Sequence, residues 1–452
     1  VYAWKELHRF SRVIHHYQTS NFESNFLDLV AYHYFYLIQY LDNPGESFSV
    51  HKYRKKDSEV SFSLRFKEGN EYSFNFDSQC SQVRIEPDFK YMDDPLSSML
   101  QAVFTGRADF ARNREGALFA TRVVETLKRE LIGSAAVLGG GIYGCVSAIA
   151  LSNKGYCVDL YEKNSEIISA ASFTNQYRVH LGFHYPRSIE TRQECIDADK
   201  FFRKEFGQAL DVRSKHYYAV SAEGSKVTRE EYLKAMDESG LAYEIVEPLK
   251  NCSLTLLSEE VSVDPHKLRE TLKRRLFGAG VNVKLGSKAS KDLVGLYDVV
   301  VNATYKNLNE FTDISSEFKF QLVEKIAVRL PESWRNFSLV VMDGDFFSID
   351  PFPGKDYHVV GAVKAANHEV YVGNNFIPSR TPWNLDSGEL DPNPEFTNRD
   401  QIIRLMKEYL DFEPEYVGSY FVTKTLKSHV EATDDRKHLN DQTPGQAMFH
   451  VL

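Results

Sequence analysis

One stretch constrains the fold more than any other: residues 135–163, AAVLGGGIYGCVSAIALSNKGYCVDLYEK. Residues 135–138 are a short apolar run, the size of a buried strand. Gly139, Gly141 and Gly144 follow as G-x-G-x-x-G, and the next residues read as a helix to about Lys154, closed by Gly155. Residues 156–161 form a second apolar strand that ends in Glu162. Each part has a physical reason. Gly139 permits a tight strand-to-helix turn, Gly141 lets a pyrophosphate approach the backbone, and Gly144 lets helix and strand pack closely. The free N–H groups and positive end of the helix attract phosphates. An acid about twenty residues on accepts the ribose hydroxyls, and Glu162 stands 23 positions after Gly139. With Ile142, Tyr143 and Lys163 these residues make the first piece of a dinucleotide site. The uncharged run 131–151 would also suit a membrane span by length. Four glycines in its middle, and charged or polar residues soon after, argue against that.

Bulk properties bound the rest. A chain of 452 residues is long enough for two to three domains, and 42% hydrophobic residues can build full cores. A net charge of −9 and a pI near 5.9 do not suggest a surface for nucleic acid or anionic membrane. Cys80, Cys145, Cys157, Cys195 and Cys252 are scattered without a C-x-x-C pair, which suits reduced thiols in a cytoplasmic protein. No signal peptide is visible. The start at Val1 and the stop after AMFHVL read as cut ends, the expectation being a piece of a longer protein.

Residues before the glycine loop have their own pattern. Residues 25–41 (NFLDLVAYHYFYLIQYL) are apolar enough for a buried helix. Val60, Phe62, Leu64 and Phe66 alternate, Glu68-Gly69-Asn70 turns, and Tyr72, Phe74 and Phe76 return. Period two with a glycine-containing turn predicts an antiparallel hairpin, which Val83 and Ile85 extend. Residues 95–104 and 113–131 are helical patterns. Residues 1–131 resemble the C-terminal sheet domain of the Gfo/Idh/MocA sugar dehydrogenases, through the 25–41 helix, the strands VHKYRKKDSEVSFSLRFKEGNEYSFNFD, and DDPLSSMLQAVFTG with NREGALFATRVVETLK. The resemblance implies subunit pairing through the sheet, hence a homo-oligomer, and a D-x-x-x-H pair at the helix start. Here Asp28 and His33 stand one residue further apart, which also fits a capped helix with a packed histidine.

After the first glycine unit, Val263-Asp264-Pro265 introduces a helix over 266–277, with Pro265 suited to its first turn. Strands over 281–285 and 297–303 follow. This return to the nucleotide domain after a long excursion, ending in DVVVNAT, resembles the D-amino-acid-oxidase-like (DAO) family of FAD-dependent oxidoreductases, from about Ser134 to the end. The resemblance implies an FAD cofactor, with Ala303 and Thr304 against it. Tyr305 stands where the family has glycine. It also implies that residues 170–188 (AASFTNQYRVHLGFHYPRS) pass beneath the flavin ring. Ser172, Asn175 and Gln176 would then bond to pyrophosphate or ring. Asp435 and Arg436 of ATDDR would lie at the mouth of the site, with a final strand and helix to follow.

Arg178, His180, His184, Tyr185 and Arg187 crowd around Gly182. Three readings stay open: an active-site segment, a structural polar network, or a metal held by His180 and His184. H-x-x-x-H suits zinc on a helix, and Gly182 and Pro186 make a helix improbable, so no metal is assigned. Arg178, His180 and His184 are the catalytic candidates, Arg178 because a guanidinium clamps a carboxylate. Further on, 318–330, 339–342, 346–349 and 358–363 are β-type runs, 398–410 is an amphipathic helix, and 416–427 is a strand. Arg329, Tyr357 and His358 are minor candidates for substrate contact.

The expected fold is α/β and α+β: an antiparallel-sheet α+β domain over 1–131, then a Rossmann-like FAD-binding domain with an antiparallel-sheet substrate domain inserted. The cofactor domain takes 134–169, 259–305 and 420–452; the substrate domain takes 170–258 and 306–419. The leading function is an FAD-dependent oxidoreductase acting on a small amine, amino acid or amino sugar, with hydride passing to flavin. The alternatives are an NAD(P)-dependent sugar dehydrogenase module and a non-catalytic nucleotide-binding scaffold.

Overall fold

The computed structural model describes residues 48–56, 59–66, 71–77 and 82–86, the helical positions Leu118, Ala120, Arg122, Val123, Thr126 and Arg129, and residues 133–311, 317–427, 440–442 and 448–451. The chain divides into two compact units, one of residues 1–135 with 150–157, the other of 136–149 with 158–452. In the first, β1 (Phe48–Lys56), β2 (Glu59–Phe66), β3 (Glu71–Asp77) and β4 (Gln82–Glu86) form an antiparallel meander. In the backbone register Phe62 pairs with Phe74 and Leu64 with Tyr72. The predicted helices over 25–41, with Asp28 and His33, and over 95–104 lie outside the described residues.

From residue 133 the chain forms β5 (Ser134–Leu138), helix α1 (Ile142–Asn153) and β6 (Cys157–Tyr161). Ala135 to Leu138 are wholly buried, as an unbroken apolar run in a covered strand should be. Residues 133–151 are thus strand, loop and helix, and among the described residues no helix is long and apolar enough to cross a membrane. There follow β7 (Arg178–Val179), α2 (Ile189–Phe206), β8 (Leu210–Asp211), β9 (Lys215–Ser221), α3 (Arg229–Glu238), β10 (Tyr243–Val246), β11 (Cys252–Ser258) and β12 (Val261–Val263). Helix α4 (Pro265–Gly278) starts where the sequence predicts. Asp264 caps it, its Oδ1 accepting from the backbone N–H of His266 (2.9 Å) and Lys267 (3.1 Å). Strands β13 (Asn282–Lys284) and β14 (Val299–Asn302) complete this part.

The remaining elements are β15 (Phe318–Arg329), β16 (Phe337–Met342), β17 (Phe347–Pro351), β18 (His358–Ala362), β19 (Asn367–Gly373), α5 (Arg399–Tyr409), β20 (Glu415–Lys427), β21 (Asn440–Gln442) and β22 (Met448–Val451). Two large sheets result. One has six strands in the order β13-β6-β5-β14-β22-β21, with β13 parallel to β6 and β14 parallel to β22. The other has nine, β10-β11-β9-β16-β17-β18-β15-β19, with β20 also on β15. Because β20 pairs with β15 from Glu415 to Lys427, the boundary expected at residue 420 falls inside a strand. Among the described residues after β20, β21 and β22 return to the six-stranded sheet.

Strand β15 is the spine of the larger sheet. Its core side chains Ile326 and Val328 pack with Leu339, Ile349 and Val360, and with Ile402 and Met406 of α5. Two charges interrupt this apolar run side by side, Glu324 and Lys325, and strand alternation sends neighbours to opposite faces. The fully buried Glu324 carboxylate accepts bonds from His368 Nε2 (2.8 Å), the Asn398 N–H (2.6 Å) and Thr397 Oγ1 (2.5 Å), and from Ser419 Oγ. Burial opposes its charge, but these donors hold it below the usual glutamate range. Its folded pKa is depressed, so its contribution is present above the ordinary value and is lost as pH falls through the folded one. Glu324→Ala should cost about 3 kcal/mol at pH 7. The gap to wild type in denaturant titrations should narrow on acidification below about pH 4.

Candidate active site

The turn between β5 and α1 is built by backbone contact. Gly139 sits at φ +100°, and a Cβ there would lie 2.5 Å from the Ala303 carbonyl oxygen. A Cβ on Gly144 would lie 1.8 Å from the Gly139 carbonyl oxygen. Gly141 differs: a Cβ there would meet only Ser172 Oγ, at 3.2 Å. So Gly139 and Gly144 serve the turn, and Gly141 keeps space open above it. The Gly139 N–H bonds the Tyr161 carbonyl (2.8 Å) and the Ala303 N–H bonds the Leu138 carbonyl (2.9 Å), which sets the three strand ends side by side.

Glu162 does more than its position in the sequence implies. Its carboxylate accepts from the Gly140 N–H (2.7 Å) and the Asn164 N–H (2.8 Å), so it pins the glycine loop while lining the cavity beside it. Ser172 Oγ accepts from the Ile142 N–H (3.1 Å) at the helix start. The cavity has a volume of about 1390 Å³. Its wall includes Gly139, Gly141, Ile142, Tyr143, Glu162, Lys163, Ser172, Asn175, Gln176, Ala303 and Thr304, and continues to Arg178, His180 and His184. Gly144 lies behind the turn, and Asp435 and Arg436 lie outside the described residues. A glycine-walled helix start with an acid at the next strand end fits the pyrophosphate and ribose of a dinucleotide, and the cavity is roomy enough for one.

Arg178 is not placed to clamp a substrate carboxylate. Its guanidinium is buried between Glu260 (3.3 Å) and Asp350 (2.9 Å), bonds Ser338 Oγ, and stacks 5.0 Å from the Tyr218 ring centroid. Burial alone would lower its pKa, but Tyr218, Asp350 and Glu260 hold it above the usual range. Glu260 also accepts from Tyr218 Oη and the Leu181 N–H, both at 2.8 Å. Arg178 is therefore the centre of a structural network, the second of the three readings. His180 and His184 do face the cavity, with ring centroids 5.3 Å apart. His180 Nε2 is 3.1 Å from Gln176 Oε1, and its Nδ1 is 3.4 Å from Tyr218 Oη, so the network orients it. Arg187 pairs with Asp343 at 2.5 Å.

Arg329, Tyr357 and His358 do not line the cavity. Arg329 holds Asp356 and Glu415 at the surface, Tyr357 bonds Tyr420 across the core at 2.8 Å, and burial pulls His358 down to about 4. Tyr305 adopts φ +57°, the region its glycine counterpart would favour. Its hydroxyl accepts from the Thr425 N–H (3.0 Å) and donates to the Thr425 carbonyl (3.3 Å), which ties the end of β14 to β20. The nine-stranded sheet adds cavity residues that sequence reading missed: Gln321, Val323, Lys325, Ser348 and Gly361. For the β15 residues a signal was present, since period two puts Gln321, Val323 and Lys325 on one face of that strand.

Residues 134–439 match the family described as FAD dependent oxidoreductase (DAO). The FAD-dependent monooxygenase FPY4 of Fusarium mangiferae is 28% identical over 230 residues, 48% of this chain and 60% of its own length. The FAD-dependent monooxygenase kojA of Aspergillus flavus is 27% identical over 248 residues, 48% of this chain and 57% of its own. The chain thus spans about 60% of the length of the curated relatives it matches. Among solved structures, NikD, an unusual amino acid oxidase, superposes with a TM-score of 0.53 at 13% identity, over 71% of this chain and 88% of its own. The L-alpha-glycerophosphate oxidase of Mycoplasma pneumoniae does so with 0.52 at 13% identity and the same coverage.

Proposed function

The chain belongs to the family of FAD-dependent oxidoreductases, and on that premise we propose that it oxidises a small amine, amino acid or amino sugar by removing hydride from a carbon bearing nitrogen or oxygen. The observation that carries this reading is the cavity itself, whose wall joins the glycine turn to the histidine segment and to the nine-stranded sheet. Bound FAD supplies the electron acceptor. In this reading Gly141, Ile142 and Tyr143 give the pyrophosphate its backbone, Gly139 and Gly144 hold the turn that presents them, and Glu162 and Lys163 face the ribose. Ser172, Asn175 and Gln176 bond to the pyrophosphate or the ring, Ala303 and Thr304 lie against the cofactor, and Asp435 and Arg436 stand at the mouth of the site. His180 and His184 border the substrate, and Arg178 acts through the network that orients His180. The cofactor domain takes 134–169, 259–305, β21 and β22, and the substrate domain takes 170–258 and 306–427.

For residues 1–131 we keep the likeness to the Gfo/Idh/MocA C-terminal domain as part of the proposal. The antiparallel meander supports it, and it favours sugar-related chemistry and pairing of subunits through that sheet. The scattered cysteines support a cytoplasmic setting. The relatives named monooxygenases favour a second reading, in which an atom of O2 enters the product. Turnover under labelled O2 with mass analysis of the product separates the two.

The visible spectrum of the purified full-length protein is the direct test. A flavin band near ~450 nm, bleached anaerobically by a small amine, amino acid or amino sugar, is the expected result. A colourless protein that binds NADH would sink the reading in favour of a nicotinamide module. A yellow protein that no substrate bleaches would leave only a scaffold.

A further inference from the structure

Lys325 is a cation set into a sheet without a counter-ion. Strand alternation puts Gln321, Val323 and Lys325 on the cavity face of β15, while Glu324 turns the other way. The other cations of the wall are placed differently. Arg178, Arg187, Lys288 and Lys306 each hold a carboxylate, and Lys163, Lys226 and Lys424 are exposed to water. Among the described residues the Lys325 side chain has neither an ion pair nor a hydrogen bond. The field of Asp350 reaches it, but that carboxylate already bonds Arg178 and Ser338. Gly361 on β18 leaves the ammonium its room, since a Cβ there would lie 3.4 Å from Lys325 Nζ. Desolvation pulls the amine down to about 8, with Asp350 opposing, so it remains mostly protonated at neutral pH. A half-buried charge left unpaired loses part of its hydration, and a ligand of opposite sign makes up that loss.

We propose that Lys325 is the specificity-determining cation of this cavity, the anchor for a negatively charged group of the substrate, a carboxylate being the class that fits. This deepens the proposed oxidase function and rests on it for the identity of the ligand as substrate. The same charge repels a plain amine, which arrives as a second cation in a space that screens charge poorly. Of the substrate types above, the inference selects an amino acid or a sugar acid over an uncharged sugar or a simple amine. Gln321 and Ser348, on the same wall, add neutral hydrogen-bonding groups beside the charge.

Calorimetric titration of the protein as purified tests this, with flavin content read separately from the visible spectrum. The probes are acetate, propionate and benzoate, their amides, and benzylamine. At least one carboxylate should bind wild type about tenfold or more tightly than its amide. Lys325→Met should lose that preference and bind benzylamine more tightly than wild type does, and Lys325→Arg should restore part of it. Lys325→Gln serves if the methionine variant does not fold. Failure of every carboxylate to bind, or equal binding by wild type and Lys325→Met, overturns the proposal. A colourless protein with lysine-dependent carboxylate binding would sink the flavin reading and keep the anchor. A yellow protein, bleached by substrate, whose carboxylate binding ignores Lys325 would do the reverse.

Discussion

Gly144→Ala is expected to break the glycine turn itself, and with it both stability and flavin retention. The added Cβ would lie 1.8 Å from the Gly139 carbonyl oxygen and 3.0 Å from its carbon. Both are backbone atoms, and neither can rotate away as a side chain would. Gly139 is in turn held against Ala303 and hydrogen-bonded to Tyr161, so movement of the loop disturbs three strand ends at once. The cost should be about 3 kcal/mol or more, at the upper end for adding one methyl group. Gly141→Ala supplies the contrast. Its Cβ would meet only Ser172 Oγ, at 3.2 Å, and that hydroxyl can adjust. The apoprotein should melt within about 0.5 kcal/mol of wild type, while flavin content falls because the methyl group stands where the pyrophosphate approaches. Thermal melts of flavin-stripped protein, set beside the ratio of visible to ultraviolet absorbance as purified, separate the two effects. Equal apoprotein stabilities for the two variants would refute the assignment of roles within the turn.

That division of labour among the glycines shows what the sequence made legible. The motif was readable because its demands are local: a turn, a close packing and an acid, all within one strand-helix-strand unit. The period-two runs in 48–86 were readable for the same reason, since alternation is a property of neighbours. Charge partners are not local, and there the reading went astray. Arg178 looked like a free guanidinium in a polar loop. Its partners Glu260, Ser338 and Asp350 come from distant stretches that only the sheets bring together. Arg329, a minor candidate for which a structural role was the favoured reading, holds two surface carboxylates. Lys325 was the opposite case. The sequence reading passed it over, because its meaning depends on having no carboxylate bonded to it, and that is a fact of the fold. Asp435 and Arg436 fall outside the described residues, so the structure adds nothing to their assignment.

Removal of the Arg178 charge should be among the most damaging single changes in the chain. Arg178→Met leaves the Glu260 carboxylate, 3% exposed, and that of Asp350, 2% exposed, without their cation. A buried pair broken from one side costs about 3–5 kcal/mol, because an uncompensated charge stays behind. Glu260→Gln should cost less, since Arg178 keeps Asp350 and Ser338 while Tyr218 can still donate to an amide oxygen at the Oε2 position, the Leu181 N–H alone losing its acceptor. The double variant should therefore be more stable than the sum of the single losses predicts, a coupling that denaturant titrations of all four proteins would measure. The pH dependence carries the sign. Burial already holds Glu260 above the usual glutamate range, with Arg178 pulling it back down. Without Arg178 its folded pKa rises further above the unfolded one, so the folded state takes up a proton first as pH falls. The deficit of Arg178→Met should be largest above neutral pH and should shrink on acidification towards about pH 5, where the unfolded carboxylate begins to titrate. His180 rides on the same network through Tyr218, so His180→Ala should leave stability near wild type while Arg178→Met lowers both stability and turnover. A deficit independent of pH would mean that the guanidinium stabilises by packing against Tyr218 rather than by neutralising the two acids.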